Sequence, residues 1–127
     1  MNLTTLVFVG IGGAVGAMLR FSLTFMMTTW LGKGFPFGTL LVNILGSFFM
    51  GLLFSFIEHG IVREMPWHPL IGLGFIGALT TFSTFSIDTL LLLQSGDWHK
   101  ALINIVLNVV VCLGAVWLGM QLAPNRN

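Results

Sequence analysis

The stretch FGTLLVNILGSFFMGLLFSFI, residues 37–57, holds no charged side chain, and its reading decides the fold class. At ~1.5 Å per residue a helix of this length crosses a hydrocarbon layer of about 30 Å. Ahead of it Lys33 sits between two glycines and is followed by Phe35 and Pro36, which is turn chemistry. Further back, residues 3–30 are apolar or small apart from polar Ser and Thr and the single charge of Arg20, and they carry Gly10, Gly12, Gly13 and Gly16. That is a second stretch long enough to span. Beyond residue 57, Glu58, His59, Gly60, Arg63, Glu64 and Pro66 crowd together and mark a loop outside the hydrocarbon.

A third run covers residues 69–93, with Pro69 at a favourable first helical position and one acid, Asp88, inside it. Its middle, Leu79-Thr80-Thr81-Phe82-Ser83-Thr84-Phe85-Ser86, is rich in hydroxyl and β-branched residues that compete for backbone hydrogen bonds. A helix break is expected there. A polar loop from Gln94 to Lys100 leads into a fourth run, residues 101–122, and a polar tail with Pro124 and Arg126 follows. Trp30, Trp67, Trp98 and Trp117 lie at or near the ends of these runs, where amphipathic rings favour the membrane interface. The expected fold is an all-α integral membrane protein, one membrane domain over residues 1–127, with four transmembrane helices and the third broken.

Composition agrees. The 127 residues are 56% hydrophobic and 7% charged, against roughly 25% charged residues in a soluble domain, so a soluble fold could not hide the apolar surface. A net charge of +1 lacks the clustered positive field that nucleic acid requires, and no nucleic-acid partner is expected. The single cysteine, Cys112, can form neither an intrachain disulfide nor a thiolate zinc cluster. The N-terminus has no charged segment before a short apolar stretch and cleavage site, so the first run reads as a retained span.

Orientation follows from the loops. The second loop and the tail share one side of the membrane and carry Arg63 and Arg126, while the first and third loops share the other and carry Lys33 and Lys100. This balance leaves the positive-inside rule nothing to act on. A chain inserted both ways can pair with itself, which reproduces the inverted repeat that transporters build by duplication. An antiparallel, dual-topology homodimer surrounded by membrane lipid is the expected assembly.

Polar residues inside the spans are the candidates for function. Thr39, Asn43 and Ser47 share one face of the second span, and Asn104, Asn108 and Cys112 repeat the pattern in the fourth. A polar group facing lipid is costly, so both stripes should face protein or water. For Ser47, Asn104 and Cys112 the favoured reading is interhelical hydrogen bonding at about 0.6 kcal/mol each. Asn43 differs, because its amide can offer two donors to an anion. Phe82 and Phe85 would place two rings on nearly the same face; they are either lipid-facing or core rings, or they turn electropositive edges toward a dehydrated anion. Arg20 inside the first span costs about 2.5 to 3.5 kcal/mol unless it snorkels or finds a partner. Pairing with Asp88 and snorkelling to opposite vestibules are both open. Gly12 and Gly16 have small-xxx-small spacing suited to close helix packing. No nucleophile, base and orienting acid recur together, so no enzyme is expected.

The string Gly74-Phe75-Ile76-Gly77-Ala78-Leu79-Thr80-Thr81-Phe82-Ser83-Thr84-Phe85-Ser86, with Gly38-Thr39-Leu40-Leu41-Val42-Asn43 upstream, resembles the Fluc (CrcB) fluoride channel family over the whole chain. The resemblance implies a dimeric, antiparallel channel of the bacterial inner membrane that lets cytoplasmic fluoride leave passively through two pores. It implies Asn43 as a pore donor, Phe82 and Phe85 as the ring box touching fluoride, and Ser83, Thr84 and Thr39 as hydroxyl donors. It places Arg20 near a vestibule. It also implies a structural Na⁺ on the two-fold axis, held by backbone carbonyls of Gly77 and Thr80 from each chain. The family's fourth span offers a tyrosine or hydroxyls, whereas this chain has no tyrosine and offers Asn104 and Asn108. A small multidrug-type dual-topology transporter is the alternative, but such proteins use an acid in the first span, where this chain has Arg20. A non-transporting scaffold of membrane helices is the remaining reading.

Overall fold

The computed structural model describes residues 1–123; Arg126, counted above in the loop charges, lies outside the described residues. All of its regular structure is helical: α1 (Leu3–Leu31), α2 (Phe37–Glu58), α3 (residues 64–79), α4 (Phe82–Gln94) and α5 (Trp98–Leu122). Taking α3 and α4 together as Glu64–Gln94, four helical stretches among the described residues are long and apolar enough to cross a membrane. The chain is a multi-pass membrane protein.

Local chemistry sets the ends. Asn2 opens α1 by accepting a hydrogen bond from the Thr5 amide at 2.8 Å, an ordinary N-cap. The first and third connections close on Gly32 and Gly96, whose φ values of 79° and 82° lie in the left-handed region. The third span starts earlier than its expected first residue, Pro69. Met65, before Pro66, is extended (φ −94°, ψ 134°), as a residue preceding proline tends to be, so Pro66 and not Pro69 begins the helical turns. Pro69 is tolerated because the carbonyl its missing amide would reach belongs to extended Met65. The backbone widens to π-helical turns over His68–Ile76 and again over Leu107–Val111. After Leu79 it leaves helical values altogether: Thr80 has φ −83°, ψ 155° and Thr81 has φ −151°, ψ 119° before α4 begins.

Packing is inverted relative to a soluble protein. Glycines and polar groups lie inside, including Gly12, Gly16, Thr39, Ser55, Thr89, Asn104 and Asn108, around a small apolar core of Val42, Ile76, Leu79, Phe85 and Ala101. The larger side chains Phe21, Phe25, Leu113 and Trp117 face outward, as do Trp30, Trp67 and Trp98. Lipid solvates apolar groups as well as a protein core does, so close approach and hydrogen bonding drive helix association here.

Two glycine-lined crossings organise the bundle. In the first, Gly12 and Gly16 of α1 lie against the carbonyls of Leu70 and Phe75; in the second, Gly51 of α2 and Gly119 of α5 lie against the carbonyls of Val116 and Phe48. A Cβ at any of these positions would collide with backbone, which cannot rotate away. Gly46 presses against the Thr80 side chain, so α2 also meets the extended segment between α3 and α4.

Candidate functional site

The polar stripes of the second and fourth spans converge on that extended segment. Asn43 reaches it from α2: its Oδ1 accepts from the Thr81 amide at 2.8 Å, and its Nδ2 donates to the Thr81 carbonyl at 3.3 Å and to Asn108 Oδ1 at 2.9 Å. The side-chain amide replaces the helical partners that Thr81 has lost. From Asn108 the chain of hydrogen bonds continues inward. Asn108 Nδ2 donates to the carbonyl and to Oδ1 of Asn104, Asn104 Nδ2 donates to Thr89 Oγ1 at 3.0 Å, and Thr89 donates to the Phe85 carbonyl at 2.8 Å. Asn104 is 0% exposed. Among the described residues no buried side-chain nitrogen or oxygen lacks a partner. Asn104 therefore acts as the interhelical link expected of it, joining α5 to α4.

An open groove of about 330 Å³ runs beside this network, lined by Asn43, Ser47, Thr81, Phe82, Phe85 and Asn108 among others, with Cys112 further along. The Phe82 and Phe85 rings face each other with centroids 5.4 Å apart at a 52° tilt. Phe85 is 9% exposed and braces the groove wall, whereas Phe82 is 78% exposed in the single chain and projects from it. The expected pair is thus brought together with the Asn43 amide.

Thr39 and Thr84 open elsewhere. They line a second groove of about 460 Å³ at the end bearing the first and third connections, together with Asp88, Lys33 and Lys100. Thr39 is buried and donates to Asp88 Oδ2 at 2.8 Å, so its proton is already engaged. Ser83 and Thr84 gather on the Thr81 hydroxyl, each with its oxygen 3.2 Å away, and the Thr84 amide donates to the same hydroxyl at 3.2 Å. Thr39 and Asn43, one helical turn apart on α2, line one groove each.

Arg20 lines neither groove: its Nε donates to the Ala78 carbonyl at 2.9 Å. Arg20 and Asp88 take these different partners instead of each other. Sequence reasoning passed over two residues of the network. Thr81 carried a legible signal, since a threonine three residues before Thr84 at a helix start is an N-cap pattern. Thr89 carried none, because a threonine one turn beyond Phe85 reads equally well as a residue bonded to its own helix.

Residues 7–120 match the sequence profile of the family described as CrcB-like protein, Camphor Resistance (CrcB). The chain belongs to the CrcB family. Its relatives include a protein of Pseudoalteromonas translucida named Fluoride-specific ion channel FluC, 57% identical over 118 residues, covering 93% of this chain and 98% of the relative. Proteins of the same name from Aeromonas salmonicida and Shewanella denitrificans are 52% and 51% identical, covering 96% and 98% of this chain and 98% and 99% of their own lengths. In this CrcB-family chain, the network from Thr81 to Thr89 and the groove beside it are the structural features to which a transport role can attach.

Proposed function

We propose that this CrcB-family protein is a fluoride-selective passive channel of the bacterial inner membrane. It acts as an antiparallel dual-topology homodimer with two pores, exports cytoplasmic fluoride, and is not an enzyme. One observation carries the reading: a side-chain amide, Asn43, sits in a groove with two adjacent phenylalanine rings and a second amide, Asn108. Fluoride is small and strongly hydrated, so only a continuous set of donors and electropositive ring edges can replace its water. The larger chloride gains less from the same groups. Thr39, Ser83 and Thr84 would extend the hydroxyl track once their present partners yield to an anion.

The dimer reading is supported by the groove itself, which is open along one flank and leaves Phe82 uncovered. A second chain covering that flank would dehydrate the ion. Tags at each terminus should be found on both sides of the membrane in cells. Two or three lysines added to the first loop should lock the chain one way and abolish flux unless an oppositely locked partner is co-expressed. A single orientation of the unmodified chain would overturn the assembly.

The interruption after Leu79 suits the Na⁺ assignment. A continued helix would give Gly77 O the Thr81 amide and Thr80 O the Thr84 amide, but these donors go to Asn43 Oδ1 and Thr81 Oγ1. Carbonyls released from helical pairing are hard oxygen ligands suited to a cation, so Gly77 and Thr80 would hold structural Na⁺ once a second chain covers exposed Gly77.

The test is fluoride efflux from proteoliposomes, followed with an ion-selective electrode. Fluoride is expected to leave far faster than from empty vesicles while chloride is retained. No flux from folded protein would favour the scaffold reading. Repeating the assay with Na⁺ exchanged for a large organic cation should lower flux or dissociate the assembly; unchanged flux and assembly would remove the ion.

A further inference from the structure

Arg20 meets the backbone where α3 stops, at the Ala78 carbonyl. In a continued helix the Ala78 carbonyl would accept from the Phe82 amide. Here Thr80 and Thr81 are extended and Phe82 opens a new helix, so that donor is lost. Arg20 Nε takes its place at 2.9 Å, from 58 residues away in the sequence. The carbonyl end of a helix carries partial negative charge, and a cation at that end is stabilising.

The position of Arg20 is not accidental. Gly12, Gly16 and Arg20 follow each other at intervals of four along α1 and so share one face. Gly12 lies against the Leu70 carbonyl and Gly16 against the Phe75 carbonyl, so the same line continued reaches Ala78. Close backbone approach at both glycines sets the level at which α1 meets α3. The glycine crossing thereby acts as a ruler that delivers the guanidinium to the break.

We infer that Arg20 is a positioning residue: an intramembrane C-cap that holds the end of α3 and, with Asn43 clamping Thr81 from the other side, keeps Thr80 and Thr81 extended beside the groove. Its consequence for transport rests on the channel reading above; its structural consequence does not. Arginine is suited to this role because Nε fixes the fork against the carbonyl, which a lysine ammonium on a flexible stem cannot reproduce.

Two measurements on the purified full chain test the inference. Amide hydrogen exchange read by mass spectrometry should rise about tenfold or more at residues 80–82 in Arg20→Met, with peptides from α2 and α5 unchanged. Arg20→Lys should fall between. In liposomes, Arg20→Met should lower fluoride flux by about tenfold at every fluoride concentration, with the half-saturating concentration unmoved. Loss of flux only at low fluoride would mean that the charge gathers anions in a vestibule, and would overturn the positioning role. If Arg20→Met does not fold, a chain ligated with an ester in place of the Ala78–Leu79 amide tests the same contact, because the ester weakens that carbonyl as an acceptor. The ester should then raise exchange at residues 80–82 in the wild-type background and add little in Arg20→Lys, whereas additive effects would overturn the contact. Wild-type exchange in folded Arg20→Met would overturn the cap whatever the flux. Raised exchange in the variant, together with a wild-type protein that passes no fluoride, would leave the cap standing and remove the channel reading.

Discussion

Aspartate in place of Asn43 is expected to stop fluoride flux, and to do so more completely than alanine. In the native chain the amide nitrogen donates to the Thr81 carbonyl at 3.3 Å and to Asn108 Oδ1 at 2.9 Å. A carboxylate keeps the acceptance from the Thr81 amide but turns its second oxygen on two other acceptors. The donating half of the clamp on the extended segment is lost, and the part-buried acceptors left without partners cost up to about 1 to 3 kcal/mol each. A permeating anion meets a further barrier. Two negative charges ~4 Å apart at an effective dielectric constant of about 20 repel by about 4 kcal/mol, roughly a thousandfold in rate. Alanine removes the clamp without adding charge, and serine retains a hydroxyl donor, so flux should fall in the order wild type, serine, alanine, aspartate. The measurement is liposome efflux for each variant after gel filtration has matched its elution to wild type. Wild-type flux from folded Asn43→Asp would show that this amide takes no part in the path.

The second large effect is expected at the rings. Isoleucine at positions 82 and 85 preserves most of the apolar volume but removes the quadrupole whose electropositive edges would, on the proposed reading, meet a desolvated anion. Ring electrostatics toward a desolvated ion amount to about 2 kcal/mol, judged from the equivalent attraction of cations to ring faces. Each substitution should therefore lower flux about tenfold or more, and the pair together further. The two positions separate packing from function. Phe85 is buried within one chain, so Phe85→Ile should lower thermal stability, whereas Phe82 is exposed in one chain, so Phe82→Ile should leave the fold of the chain nearly unchanged and act on the covered flank of the assembly and on flux. Efflux and thermal unfolding measured side by side decide the matter. Native flux from the double variant would reduce both rings to packing elements.

Hydropathy and turn chemistry were sufficient to locate the four long apolar helical stretches to within a few residues, because hydrocarbon thickness dictates helix length and Gly, Pro and charged clusters mark where such a stretch ends. The exception was the start of the third span, where Pro66 and Pro69 both suit a first turn and only the extended Met65 distinguishes them. The inward faces of α2 and α5 were legible too, since Asn43, Asn104 and Asn108 recur at helical spacing and cannot face lipid cheaply. Periodicity names the face of a helix and says nothing about what lies opposite. Whether Asn43 met Thr81, whether Thr39 met Asp88, and whether Arg20 met Asp88 or a carbonyl depended on the register between spans.

That register is a property of the packed bundle. Gly12, Gly16, Gly51 and Gly119 allow backbones to touch at particular heights, and each contact then decides which polar groups share a level. The tertiary structure thus divided the expected pore residues between two grooves, put Asn104 at 0% exposure as a link between α4 and α5, and sent Arg20 to Ala78. By itself the sequence determined that the chain lives in the membrane, where its helices run, and which side chains must avoid lipid, because those follow from the transfer of each residue out of water. Only the tertiary structure decided who partners whom, because a hydrogen bond depends on tenths of an ångström between helices distant in sequence.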